Sequence, residues 1–341
     1  MKPLATAALL QQLAAATRQG LPLADVAAIL ATDPKTVPAG APAAFARSLA
    51  AGDKLATALA QTPALSAPAT VKWLLLAEQQ RQLPAALQAW GDDLALLGSG
   101  QRARRLALLW PSSLAVAVLA LWVLLALFVM PAFAETFASF GTALPLPTRA
   151  VFAVTNAAGS LWWLWAALLV LGAWAVWRNK LRTAVSRALQ RLADRLGFVA
   201  RWRAAVFGQR LVLLLGAHPG DRPLQAAALA HLAASTTHAA WAGTAQRLQA
   251  GLLAGQGLGT VLQAEAALPR RLAAFVLLGE KTGQTPAALA TLTEAAADEL
   301  QEAQARFERG TVLLLYLLLG LSVGGLVLAV YLPIFGLGAI V

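Results

Sequence analysis

The sequence predicts an all-α membrane protein with three transmembrane helices and two homologous cytoplasmic helical-bundle domains. Three observations predict this class. Hydrophobic residues make up 59% of the 341 residues and charged residues only 13%, whereas a soluble domain carries about 25% charged residues. The apolar residues are concentrated in three long uncharged blocks. Between the blocks the chain is rich in Ala, Leu and Gln, with apolar residues recurring every three and four positions, as amphipathic helices require.

The three uncharged blocks are each long enough to cross a bilayer. One block of 29 residues precedes Glu135, another of 28 residues precedes Arg178, and the last 32 residues follow Arg309. A membrane core of about 30 Å needs roughly 20 helical residues. Three buried helices of a large soluble protein are the alternative, although such runs are rare outside membranes. We therefore predict transmembrane helices at residues 106–130, 159–177 and 311–332.

Basic residues beside the three blocks predict the topology. They precede the first block, follow the second and precede the third, and the whole chain carries a formal charge of +11. The positive-inside rule places these flanks in the cytoplasm. The N-terminus lacks the long apolar run of a signal peptide, so we expect it to be retained. The predicted order is a cytoplasmic domain at 1–105, a periplasmic segment at 131–158, a second cytoplasmic domain at 178–310 and a periplasmic tail at 333–341.

The two cytoplasmic segments resemble each other at a nearly fixed offset of about 202 positions, which indicates an internal repeat. Chance similarity between Ala-rich helices is the alternative, but the match also includes Gly, Glu and Pro positions. It continues after the first and third predicted transmembrane helices, where both copies read Pro-x-Phe. The matching stretches are residues 49–59 with 252–262, 75–78 with 277–280, and 83–87 with 285–289.

Three motifs in the sequence are informative together. The first follows the first predicted transmembrane helix and comprises Pro131, Phe133, Phe137, Phe140, Gly141, Leu144, Pro145 and Thr148. The second is a Gly-Glu-x-x-Gly pattern in the second repeat, at Gly279, Glu280 and Gly283. The third is the C-terminal ending with Pro333, Phe335 and Gly338. With these motifs the chain resembles a known family, the inner-membrane platform proteins of type II secretion and type IV pilus assembly (the GspF/PilC family).

The resemblance implies a function as well as a fold. Such a protein connects a hexameric cytoplasmic ATPase to pilin or pseudopilin subunits in the bacterial inner membrane. It also implies contacts with other inner-membrane assembly proteins and with lipid, a homo-oligomer, no enzymatic activity and no cofactor. A small-solute transporter or channel component is the alternative. Transporters usually have more spans and polar breaks near the membrane midplane, and no charged residue lies within the three predicted spans.

The Gly-Glu-x-x-Gly pattern leaves several roles open for Glu280. It could cap its own helical hairpin, pair with a basic residue of a neighbouring subunit, or bind a cation together with other carboxylates. Glu78 is its counterpart in the first repeat, but Ala77 and Arg81 stand where the second repeat has glycine. A role of this position that depends on a close backbone approach or a tight turn is therefore less expected in the first repeat. The sequence does not identify a metal site.

Other candidate residues favour packing and topology over chemistry. Gly320 and Gly324 have the spacing that allows two membrane helices to approach closely, although glycine is also common in such helices. His231 and His238 are seven residues apart, so a ligand pair is conceivable, and a packing role is favoured. The chain has no cysteine and no phosphate-binding loop. The basic stretch at 178–210 could bind nucleic acid, but its start at a predicted span favours anionic lipid headgroups, so we expect no nucleic-acid partner.

Overall fold

The computed structural model describes residues 3–22, 25–26, 29, 47–49, 51–52, 54–60, 67–124, 131, 135 and 197–338. Over these residues the chain is helical with connecting turns and contains no strand, which confirms the all-α prediction for this part. Helices with defined bounds are α1 (Pro3–Arg18), α2 (Leu55–Ala60), α3 (Pro68–Gln79), α4 (Leu83–Leu124), α5 (Gly197–Gly216), α6 (Arg222–Ser235), α7 (Ala239–Leu253), α8 (Leu258–Ala264), α9 (Arg270–Thr282) and α10 (Thr285–Gly338).

The order of helices follows the internal repeat. Helices α2, α3 and α4 begin at Leu55, Pro68 and Leu83, and helices α8, α9 and α10 begin about 202 positions later. Alanine and leucine dominate these segments and have the highest helix propensities. Proline stands in the first turn of α3 and of α6, where its missing N–H costs no helical hydrogen bond. The two repeats therefore form similar helices in the same order.

The chain divides into two compact units. The first unit contains residues 1–103 and 201–305, and the second contains residues 104–200 and 306–341. In the first unit the two repeats share one hydrophobic core, since buried side chains of α1, α3 and α4 join those of α5 to α9 in a single cluster. The largest fully buried side chains come from both repeats: Leu10, Leu13, Trp73, Leu74, Leu87, Leu211, Leu214, Leu215 and Leu224. The boundaries 1–105 and 178–310 stay predictions.

In the second unit, the structure describes the later parts of α4 and α10 and the start of α5. The rings of Phe198 and Phe307 lie 5.9 Å apart between centroids. A Cβ at Gly310 would approach Cγ of Phe198 to 3.0 Å, so the glycine allows this close contact. Nothing lies within 4 Å of a Cβ built at Gly320 or Gly324. Their predicted role in helix packing therefore stays a prediction.

Within the described residues, one helix is long and apolar enough to cross a membrane. It covers Thr285–Gly325, and none of its apolar window is buried. This region includes part of the predicted third span, and its exposed leucines suit contact with lipid. The first predicted span is described as helix only as far as Leu124, and the second, at 159–177, lies outside the described residues. Helix α10 continues through Pro333 and ends at Gly338.

Candidate functional site: the polar interface between the repeats

Helix α3 of the first repeat packs against helix α6 of the second, and polar side chains join them inside the core. Oγ1 of Thr70 lies 2.7 Å from Nδ1 of His231. The indole of Trp73 contacts the same imidazole, with 5.2 Å between ring centroids. All three side chains are buried. Hydrogen bonds inside a core require particular geometry, so this interface fixes how the repeats are placed against each other.

An ion pair forms the centre of this interface. Arg210 of α5 donates from Nε to Oδ1 of Asp93 at 2.5 Å and from Nη2 to Oδ2 at 2.8 Å. The same guanidinium donates to the hydroxyls of Ser235 and Thr236. Burial alone would raise the pKa of Asp93, but the bonds from Arg210, with His231 nearby, hold that pKa below its usual value. Asp93 therefore stays ionised inside the core.

A second chain of hydrogen bonds runs from the first repeat to the start of α6. Trp73 donates from Nε1 to Nε2 of His218 at 3.2 Å. The other ring nitrogen, Nδ1, then carries the proton and donates to Oε1 of Gln82 at 2.8 Å. Gln82 donates to Oδ2 of Asp221, and Oδ1 of Asp221 caps α6 by accepting from the backbone N–H of Leu224.

This chain of hydrogen bonds keeps His218 neutral. Burial lowers the pKa of His218 to about 4, although the charge of Asp221 acts in the opposite direction. Protonation would also place an N–H of the imidazole against the N–H of Trp73. The neutral imidazole therefore belongs to the folded interface.

Thr70, His231 and Asp93 form a row of hydroxyl, imidazole and carboxylate, but their surroundings do not suit catalysis. Each residue is at least 97% buried, so a substrate cannot reach the hydroxyl. Nε2 of His231 lies 3.8 Å from Oδ2 of Asp93, which is too far for a hydrogen bond. The arrangement fits a role in joining helices and does not fit nucleophilic catalysis.

The Gly-Glu-x-x-Gly pattern forms a second polar contact, within the second repeat. Oε1 of Glu280 accepts from the backbone N–H of Leu258 at 2.7 Å, and Oε2 accepts from that of Gly259 at 2.9 Å. Glu280 therefore caps α8, the helix before its own. A Cβ at Gly259 would lie 2.6 Å from Cα of Leu277, so glycine allows α8 to approach α9 closely.

The glycines of the pattern allow a close approach and a turn. A Cβ at Gly279 would lie 2.7 Å from Cβ of Ala288, which brings α9 against α10. Gly283 ends α9 in the left-handed region with φ 69°. The first repeat makes the same turn without glycine, because Arg81 has φ 60°. In both turns the residue after the left-handed one donates its backbone N–H to a carbonyl of the preceding helix. Gln82 donates in this way to the carbonyl of Ala77 at 2.7 Å.

Glu78, the counterpart of Glu280, does not reproduce the complete cap. Its Oε2 is buried and has no hydrogen-bond partner among the described residues. Glu280, in contrast, uses both carboxylate oxygens in the cap. The two repeats thus share the turn after this glutamate but differ in how the carboxylate is used.

The structure also describes some of the other residues that the sequence singled out. His231 and His238 do not share a helix face, because α6 ends at Ser235 and His238 precedes α7. Arg210 belongs to the basic stretch at 178–210 for which the sequence favours lipid headgroups, but its side chain is buried against Asp93. Of the motif after the first predicted transmembrane helix, the structure describes only Pro131, which is exposed. The other members, from Phe133 to Thr148, lie outside the described residues.

The motifs of the sequence do not predict the Asp93–Arg210 ion pair or the hydrogen bonds of His218. A signal was present, since Asp93, which follows Asp92, and Arg210 both stand in helical stretches that are mostly apolar. A charge on a buried helix face requires a partner. The partner is 117 positions away, so local spacing did not reveal it. Among the described residues, no group of three or more His, Asp or Glu side chains is arranged to hold a metal ion.

These observations define a class of protein: an all-helical, membrane-associated protein whose two repeats share a core held by buried polar contacts. The family described as type II secretion system (T2SS), protein F, matches residues 9–131 and again residues 225–333. The chain belongs to this family of secretion-system platform proteins, which are associated with the inner membrane and are not enzymes. No curated protein matches the chain.

Proposed function

We propose that this protein is the inner-membrane platform of a type IV pilus or type II secretion machine. In this proposal it couples a hexameric cytoplasmic ATPase to the insertion of pilin or pseudopilin subunits into the fibre. The observation that carries the proposal is the family match over both repeats. The protein contributes binding surfaces and mechanical coupling, and it catalyses no reaction and needs no cofactor.

Two features of the chain support mechanical coupling. First, the repeats share one core, and the Asp93–Arg210 pair makes their relative placement specific. A load on one repeat is therefore carried by both. Second, the last helix of each repeat continues without a break into uncharged sequence. Helix α10 has 54 residues and includes both charged positions of the second repeat and the uncharged C-terminal sequence.

The proposed topology follows the basic flanks. The N-terminus and both repeats lie in the cytoplasm, three helices cross the membrane, and the C-terminus lies in the periplasm. The apolar, exposed part of α10 supports the third crossing. The proposed partners are the ATPase, pilin or pseudopilin subunits, other inner-membrane assembly proteins, lipid and further copies of this chain.

The decisive experiment uses the full chain in membranes. Separate fragments of the two repeats are unsuitable, because each would expose half of the shared core. We expect the tagged full chain to co-purify with a hexameric assembly ATPase, and its deletion to abolish the fibre or secretion. Arg210→Met should reduce both the co-purification of the ATPase and the fibre assembly or secretion. As a control, Arg247→Ala removes the salt bridge of Arg247 with Glu265 and should leave both unchanged. Normal fibre assembly and secretion in the deletion strain would falsify the proposal.

A further inference from the structure

A groove lies where three helices of the first unit meet. Helix α3 of the first repeat forms one side, and helices α6 and α7 of the second repeat form the other. The groove has a volume of about 350 Å³, and alanine and proline, such as Ala69, Pro223 and Ala230, make up most of its lining. Because small side chains allow helices to pack closely, another helix can approach this surface. The groove exists only where the two repeats are packed together.

The groove carries positive charge. Lys72 is the one charged residue of its lining, is exposed and makes no hydrogen bond or ion pair with the described residues. Arg222, directly before Pro223, is also exposed and donates from Nη1 to the carbonyl of Gly255. The neighbouring Asp221 is already used, since it caps α6 and accepts from Gln82. Interfaces between proteins pair surfaces of opposite charge, so the groove suits an acidic helix.

Helix α10 presents such an acidic side, which we call the acidic stripe and define as Glu294, Ala295 and Asp298. All three residues are exposed, and the two acids lie one helical turn apart on the same face. The other side of this helix faces the core, since Leu289 and Leu292 are buried. The acidic stripe therefore combines carboxylates with a small side chain, as a groove lined by alanine and lysine requires.

The two acids of the stripe differ from other acids of the first unit in having no partner. Neither Glu294 nor Asp298 makes a hydrogen bond or ion pair with the described residues. Other acids of this unit are engaged, as in the pairs Glu265–Arg247 and Glu299–Arg271. The same chain therefore carries an unpaired cation in a groove and unpaired carboxylates on a separate helix, among the residues that the structure describes.

We propose that the acidic stripe of one copy docks in the groove of a second copy. Its two carboxylates then face Lys72, with Arg222 at the end of the groove. Because the groove and the stripe are different surfaces, each copy can use both of them with different neighbours. The docked helix contacts α3 and α6 together, so it also holds the two repeats against each other. The proposal rests on the homo-oligomer of the proposed function and names its contact.

Carbodiimide cross-linking tests the contact in the full chain, because this reagent joins a lysine amine to a carboxylate that touches it. Two full-length copies with different tags are expressed together, and their membranes are treated with the reagent. We expect a product that carries both tags, in which mass spectrometry finds Lys72 joined to Glu294 or Asp298. Lys72→Arg is the matched control. It keeps the charge but cannot be joined, so this product should be lost while the oligomer mass in detergent stays unchanged.

Charge reversal provides a second measurement, by light scattering of the purified oligomer in detergent. Lys72→Glu should lower the oligomer mass, because the groove then repels the stripe. The double variant Lys72→Glu, Asp298→Lys should recover most of that mass, since opposite charges meet again. As a control, Lys281→Glu reverses an exposed lysine of the same unit that does not line the groove, and it should leave the mass unchanged.

Three results would overturn the proposal. The first is a cross-linked sample without a Lys72 link to either acid of the stripe in another copy. The second is an equal loss of oligomer mass in Lys72→Glu and Lys281→Glu, or no recovery in the double variant. The third is a link from Lys72 to a different protein in place of the stripe, which would assign the groove to that partner. Neither measurement requires ATPase binding or fibre assembly, so the proposal can fail while the proposed function stands.

Discussion

Asp93 and Arg210, one from each repeat, form a bidentate ion pair that is at most 4% exposed. The pair is a charged link across the shared core, and the hydroxyls of Ser235 and Thr236 add two further acceptors to the guanidinium. A buried pair contributes little net stability compared with a well-packed apolar pair, because desolvation offsets the attraction. Its main effect is specificity, since only one relative placement of the repeats satisfies both charges.

Removing one member of the pair should destabilise the protein strongly. Arg210→Met leaves the carboxylate of Asp93 buried without its cation, and the expected loss is about 3–5 kcal/mol in the free energy of unfolding. Thermal unfolding of the purified full chain in detergent measures this loss. The double variant Asp93→Leu, Arg210→Met should recover most of it, because no charge stays buried. Equal destabilisation by the single and double variants would contradict this account.

Stability should fall on mild acidification because of His218. In the unfolded chain its imidazole binds a proton below its ordinary pKa of 6.5, while the folded protein keeps it neutral until the pH approaches about 4. Between these values the unfolded state binds more protons, so stability decreases as the pH falls. The slope from this one group is at most about 1.4 kcal/mol per pH unit.

The pH dependence of His218 can be isolated with one substitution. His218→Asn keeps a polar side chain in the core but cannot take up a proton. Melting temperatures of the two proteins between pH 7 and pH 4.5 should converge as the pH falls, because only the parent chain loses this contribution. Parallel curves would show that His218 is not the group responsible.

The local patterns of the sequence predicted the helices, the repeat and the residues of the Gly-Glu-x-x-Gly pattern. They did not predict which groups these residues bind. Glu280 accepts from an N–H 22 residues away, and Asp93 pairs with a cation 117 residues away, so neither contact produces a local pattern in the sequence. The difference in burial between Trp73 and Phe275 was equally inaccessible. Both are aromatic residues at equivalent positions, and only the packing of the two repeats makes one a core residue and the other a surface residue.

The cap on α8 makes Glu280 more important for stability than Glu78. Glu280→Ala removes the acceptors for the backbone N–H groups of Leu258 and Gly259, and loss of a helix cap typically costs about 1 kcal/mol. Glu78→Ala removes a carboxylate with one buried oxygen that has no partner in the described part of the chain, so its cost should be smaller. Chemical denaturation of both variants measures the difference. A larger loss of stability for Glu78→Ala than for Glu280→Ala would contradict this prediction.

The turn after α3 is a site where a substitution should stabilise the protein. Arg81 holds a left-handed backbone conformation at φ 60°, which costs an L-residue roughly 1 kcal/mol, and Gly283 occupies the equivalent turn without that cost. Arg81→Gly should therefore raise the melting temperature, and Gly283→Ala should lower it. The side chain of Arg81 is exposed, so its removal leaves the core intact. A lower melting temperature for Arg81→Gly would show that the arginine side chain contributes more than the backbone conformation costs.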